Sequence, residues 1–163
     1  TIAFYGVFPI ADLLLGQICN LPYRSRFRGR VTLIGAGDYG ADGDPPGFYH
    51  SVFVVRADDP ARDMATASTR DMAINEPLSN SGWGAPAQWA AAQGLILNPV
   101  LRTGAHRESL RAVALGRAGL AAIDCITFRN LLAVEPAAGQ VRVIGRTHAT
   151  PGMTFVTRQG QDP

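Results

Sequence analysis

Lysine is missing altogether: the fifteen basic side chains of the 163-residue chain are all arginine. Together with abundant alanine and glycine, this suggests a GC-rich coding sequence rather than a mechanism. The net charge is only +2 and the pI near 8.8, too weak a basic balance to imply nucleic acid. Arg24, Arg26, Arg28 and Arg30 do share one polar stretch, which reads as a solvated loop or helix face ahead of a phosphate-contacting patch. Cysteine is scarce. Cys19 and Cys125 lie far apart in apolar runs and fit no metal-ligand spacing, so a disulfide scaffold and a zinc module legible in sequence are both excluded. No apolar run is long enough to span a membrane. No charged start followed by an apolar run and a cleavage site is visible either, which leaves a mature secreted form and a cytoplasmic protein both open. Disorder and a coiled coil are excluded by an apolar content of 47% without sustained heptads.

What is present alternates between strand and helix. Strands are expected at Ile2 to Phe8, Leu13 to Cys19, Val31 to Ile34, Tyr49 to Arg56, Arg70 to Asn75, Asn98 to Thr103, Leu120 to Asp124 and Val141 to Ile144. A short helix or turn is expected between Pro60 and Ser68. Longer helices are expected over Ser81 to Gln93, His106 to Leu115 and Ile126 to Val134, and a polar tail after the last strand. Gly37 to Gly47 reads as a loop or a connection between lobes. The alternation predicts an α/β fold with mostly parallel sheets flanked by helices.

The segment Asn75-Glu76-Pro77-Leu78-Ser79-Asn80-Ser81-Gly82-Trp83 stands between an apolar strand and a helix. A helix start aims unpaired N–H groups and the positive end of its dipole at one point, which suits a small oxyanion. Ser and Asn are also ordinary helix caps, so the segment alone leaves both readings open. In open α/β sheets, ligands sit beyond the carboxyl ends of strands. Asn75 and the Ser79 to Trp83 turn, Thr103 to His106, and Asp124 all fall at such ends. Each alone is a cap or a surface residue; together they would line one face.

Those blocks, with Tyr49-His50-Ser51-Val52-Phe53-Val54-Val55-Arg56, Ala112 to Gly116, Ala121 to Asp124 and Val143 to Thr147, resemble successive motifs of one family. They are similar to the phosphate/phosphonate-type solute-binding proteins of ABC transporters, on the type II periplasmic-binding-protein fold. Leu13 to Pro22 is similar to a strand and turn of a proteobacterial subgroup. The resemblance implies two lobes closing on a small ligand. It places Ser79, Asn80, Ser81 and the backbone N–H groups of Gly82 and Trp83 at the anion, together with His106. Tyr49 would contribute at the crossing between lobes, and Asp124 would accept from an amino or hydroxyl group of the ligand. Tyr5 and Gln17 are implied from the other lobe, with Cys19 beside them. The implied partners are a small anionic ligand and an ABC permease, with no cofactor, metal or nucleic acid. The implied compartment is the periplasm.

The chain departs from the family pattern in its first lobe. Ile2 to Pro9 runs into Ala11 and Asp12 with no room for a crossover helix, which a parallel strand pair needs. The expectation is therefore an incomplete first lobe, with residues missing near Ile10 and Ala11 and a shorter gap near Ala65. Lobe one is assigned 1–47 and 143–163, and lobe two 48–142. Three function classes follow: a solute-binding protein for a phosphonate- or phosphate-like ligand, an enzyme on the same fold, and a ligand-sensing module.

Overall fold

The computed structural model describes residues 10–160. Tyr5 and the expected strand Ile2 to Phe8 lie outside the described residues. Among the described residues, ten strands form three sheets: a three-stranded sheet, a two-stranded ribbon and a five-stranded sheet.

The five-stranded sheet is built from β4 (Ser51–Arg56), β5 (Asp71–Ile74), β6 (Asn98–Arg102), β7 (Leu120–Asp124) and β8 (Val141–Arg146), in the order β6-β5-β7-β4-β8. β5 pairs in parallel with both β6 and β7, whereas β4 pairs antiparallel with both β7 and β8. Four strands therefore run one way and β4 alone runs against them. β4 is buried on both faces because its side chains alternate between two cores. Val52 and Val54 pack with Leu110 and Val113, while Phe53 and Val55 pack with Met64, Met72 and Leu120. The helices supplying these layers are α2 (Met64–Ala67), α3 (Ala85–Ala92), α4 (His106–Ala114) and α5 (Cys125–Val134). β6 is one edge of the sheet, mostly exposed, and carries Pro99, where a missing N–H costs least.

The smaller sheet holds β1 (Gly16–Ile18), β2 (Val31–Ala36) and β10 (Thr154–Arg158), with β10 in the middle and antiparallel to both neighbours. This corrects the expected polar tail. Thr154, Val156 and Thr157 are buried, so the last segment is the central strand of the smaller sheet. Asn20–Pro22 form the short helix α1, which runs into a π-helical turn over Tyr23–Phe27, so Arg24 and Arg26 of the stretch read as a solvated loop or helix face stand on a helical turn.

The two sheets are joined by a ribbon of β3 (Phe48–Tyr49) against β9 (Thr150–Pro151). Here two backbones meet closely: a Cβ on Gly152 would stand 2.9 Å from the Gly47 carbonyl oxygen. The strands that run against their neighbours, β4 and β10, are the ones entered directly after this ribbon. β8 stays paired with β4 as far as Arg146, so residues 143–146 stand with the larger sheet rather than the smaller one.

Candidate functional site

Strand ends bring the site together. Thr103 N–H donates to the Ile74 carbonyl at 2.9 Å and Gly104 N–H to the Asn75 carbonyl at 2.9 Å, holding the ends of β5 and β6 side by side. β7 ends next to them at Asp124. A cavity of about 470 Å³ lies against these ends and is lined from both sheets and the ribbon. Gln17, Cys19 and Met153 come from the smaller side, Tyr49 from the ribbon, and Asn75, Ser79, Ser81, His106 and Asp124 from the larger.

The segment after β5 does not enter a regular helix directly. Ser79 is extended (φ −70°, ψ 125°), and Asn80–Gly84 form a π-helical turn before α3 begins at Ala85. Single π-turns of this kind recur at functional sites because they re-aim side chains. The Ser79 hydroxyl accepts from Gly82 N–H at 3.0 Å, and the Ser79 carbonyl accepts from Trp83 N–H at 3.2 Å and Gly84 N–H at 2.9 Å. The Gly82 and Trp83 N–H groups, expected to face an anion, are thus engaged inside the turn. Trp83 packs against the core of the larger sheet. Asn80 is also turned away from the cavity: its amide donates to the Tyr49 hydroxyl at 3.1 Å and to the Thr150 hydroxyl at 3.2 Å. It braces the ribbon.

Ser81 and His106 meet at 2.8 Å, Oγ to Nε2. With Nε2–H donating to Ser81, the serine keeps its own hydrogen for the cavity. Burial pushes the His106 imidazole below its usual value, against the opposing pull of the Asp124 charge and the Ala122 carbonyl, so its neutral form is favoured. His106 Nδ1 and Asn75 Oδ1 are buried with no hydrogen-bond partner among the described residues. Asp124 is buried and caps α5, its Oδ1 accepting from Thr127 N–H at 2.8 Å. Burial likewise pushes the Tyr49 hydroxyl up, so it stays protonated.

Of the charged side chains in the lining, Arg107 pairs with Glu135 at 2.6 Å and Glu76 pairs with Arg102, while Asp124 has no basic partner among the described residues. The neutral donors in the lining include the Ser79, Ser81 and Tyr49 hydroxyls. The lining also includes the apolar side chains of Ile18, Phe27, Phe48, Ile126 and Met153. On the smaller side the Gln17 amide donates to the Tyr39 hydroxyl, and the Cys19 thiol points to Met153 Sδ at 3.7 Å.

Eight of the residues singled out by sequence therefore share one cavity: Gln17, Cys19, Tyr49, Asn75, Ser79, Ser81, His106 and Asp124. Asn80, Gly82 and Trp83 support it from behind, and Tyr5 lies outside the described residues. Tyr39, Glu76 and Met153 were not singled out by sequence. Tyr39 sits in a Gly/Asp loop and Met153 in the presumed tail, where no periodicity marks a site.

A family model described as "ABC transporter, phosphonate, periplasmic substrate-binding protein" matches residues 14–163. No curated protein sequence matches the chain. Among solved structures, the chain is similar to PhnD1 from Prochlorococcus marinus in complex with methylphosphonate (TM-score 0.71, 15% identity, covering 90% of this chain and 57% of that one). It is similar to a binding protein component of an ABC phosphonate transporter from Pseudomonas aeruginosa (TM-score 0.59, 20% identity, 82% and 45% covered). It is also similar to the CcmR regulatory domain of Synechocystis in complex with 2-PG (TM-score 0.61, 14% identity, 91% and 65% covered). The chain thus spans about half to two thirds of these structures, and the likeness is one of fold.

Proposed function

Because the chain belongs to the periplasmic substrate-binding family of phosphonate ABC transporters, a transporter binding-protein family rather than an enzyme family, we propose that it binds a small oxyanion-bearing organic ligand of the phosphonate class between two lobes. One lobe carries the smaller sheet and the other the larger. The observation that carries this reading is the cavity's mixed lining: neutral hydroxyls at Ser81 and Tyr49 together with the apolar side chains of Ile18, Phe27, Phe48, Ile126 and Met153. Neutral donors hold an anion through charge-assisted bonds yet let it dissociate, as delivery to a permease requires. The apolar part of that lining favours an organic substituent over a bare inorganic anion.

In this reading His106 orients Ser81, and Ser81 and Ser79 face the oxyanion. Asp124, in the same lining, accepts from a protonated oxygen or an amino group of the ligand. Gln17 supplies the smaller lobe's contact. The family match supports delivery to an ABC permease and residence in the periplasm.

A second reading, a ligand-sensing module, draws support from the likeness to the CcmR regulatory domain. It uses the same cavity and differs only in the partner that reads out closure. An enzyme reading meets a specific obstacle. A Ser81–His106–Asp124 relay would need Asp124 on His106 Nδ1, but that nitrogen is unpartnered and Asp124 Oδ1 caps α5.

The test is a thermal-shift screen against small phosphonates, phosphate, phosphite and sulfonates. Binding to the folded state raises the melting temperature with RT ln(1 + [L]/Kd). An alkylphosphonate is expected to give the largest shift. Ser81→Ala should weaken its binding by about 1–3 kcal/mol, since a charged acceptor loses a donor. Unchanged affinity in a folded Ser81→Ala protein would remove Ser81 from the site.

A further inference from the structure

A second cluster of chemically active side chains lies outside the cavity lining. Asp44 ends the Gly/Asp loop before the ribbon, His50 sits between β3 and β4, and Cys125 is the first residue of α5. Three separate segments thus converge. One carboxylate oxygen, one imidazole nitrogen and one thiol sulfur all lie within 4.8 Å of one another. None of the three lines the cavity.

Two of these groups are buried. The Asp44 side chain is 5% exposed and that of His50 9%, with His50 Nδ1 and Asp44 Oδ2 at 2.7 Å. Among the described residues, His50 is the one side chain that hydrogen-bonds the Asp44 carboxylate. A carboxylate so withdrawn from water needs a positive charge close by. The Cys125 backbone N–H donates to the His50 carbonyl at 3.1 Å, so His50 and Cys125 are locked at a fixed distance by main chain as well as placed by side chain.

We propose that Asp44, His50 and Cys125 form a site for a divalent metal ion of the zinc class. A thiolate, an imidazole and a carboxylate make a mixed N/O/S donor set that suits a borderline-soft tetrahedral ion, with a fourth position left to water. Zinc bonds of roughly 2.0–2.3 Å place tetrahedral donors about 3.3–3.7 Å apart, a contraction of about 1 Å from the span of the cluster. The Asp44–His50 contact would open by about half an ångström as the ion replaces its bridging proton. On ligation Cys125 gives up its thiol proton to solvent and forms the sulfur–metal bond.

The ion would tie the loop before the ribbon to the first turn of α5. Asp124, next to Cys125, caps that turn and faces the cavity, so the metal would also fix the direction of the Asp124 carboxylate. The site does not depend on which anion the cavity takes, or on whether it takes one.

The test titrates cobalt(II) into the whole chain after chelator treatment and desalting. The wild type is expected to develop tetrahedral ligand-field bands and a thiolate-to-cobalt charge-transfer band, saturating at one equivalent. Cys125→Ser should abolish the charge-transfer band, and Cys19→Ser, which removes the other thiol, should leave it intact. Asp44→Asn and His50→Gln keep both thiols, and each should weaken binding at least tenfold. One equivalent of zinc should raise the melting temperature of the wild type and leave that of Cys125→Ser unmoved. A charge-transfer band that survives in Cys125→Ser, or none in the wild type at excess cobalt, overturns the site. Should Cys125→Ser fail to fold, the Asp44→Asn and His50→Gln titrations decide: affinity equal to the wild type in both overturns it too. No phosphonate is added in any arm, so a negative result here leaves the phosphonate reading standing.

Discussion

Gly82 shows how tightly single residues are fixed around the cavity. A Cβ at this position would lie 1.7 Å from Asn75 Oδ1, well inside contact. Gly82→Ala must displace the Asn75 side chain or the π-turn, and forced displacement in a packed site costs about 1–3 kcal/mol. The urea midpoint should fall accordingly. Replacing Asn75 by Ala in the same protein should recover most of the loss, because the two changes share one contact and will not add. Full additivity in that cycle would show that the strain lies elsewhere. Ser81→Ala acts on both: it leaves the His106 Nε2 without its buried partner, which should cost about 1–3 kcal/mol of stability, and it removes a donor from the ligand.

At the scale of elements, α4 is held by its charges. Glu135, after α5, receives Arg107 at 2.6 Å and Arg111 at 2.9 Å, both from α4. The Arg107 guanidinium first, then Arg111, hold the Glu135 carboxyl down to about 2, from an ordinary value of 4.5. A depressed carboxylate stabilises the fold above its unfolded value, and that contribution is lost as pH falls toward the folded value. The melting-temperature advantage of wild type over Glu135→Gln should therefore be full at pH 7 and narrow from about pH 4.5 toward pH 2. An advantage independent of pH would mean the pair contributes through packing alone. α4 begins at His106, so the same variant should also loosen the ring that orients Ser81, and ligand affinity should drop with it.

On the scale of the molecule, the contacts that cross from α5 to the smaller side are few and exposed. Arg129 on α5 donates to the Gly40 carbonyl at 2.9 Å and the Tyr39 carbonyl at 3.1 Å, and Tyr39 in turn meets Gln17. In a protein that closes on its ligand, such contacts bias the closed arrangement. Arg129→Ala should raise the radius of gyration of the unliganded protein measured by X-ray scattering. It should weaken ligand binding by about 0.5–1.5 kcal/mol, the net worth of such hydrogen bonds. An unchanged scattering profile would mean that Arg129 decorates the surface without acting on closure.

Local composition was enough to reveal the strands and helices of the larger sheet. Val52-Phe53-Val54-Val55 can only be a buried strand, and His106 to Ala114 carries its apolar residues at helical spacing. The strand-end rule then gathered Ser81, His106 and Asp124 without a structure, because parallel strands send their carboxyl ends to one side. What sequence missed was set by partners distant in the chain. Thr154 to Arg158 reads as a tail, yet it is a central strand because β1 and β2 stand on either side of it. The Gly82 and Trp83 N–H groups read as free, yet the π-turn closes them onto Ser79. Asp44, His50 and Cys125 fit no ligand spacing, since 75 positions separate His50 from Cys125 in the chain. The antiparallel register that sets Ser51 opposite Asp124 is what brings the residues next to them together. Periodicity records which face of an element is buried; which element lies against it is decided only by tertiary packing.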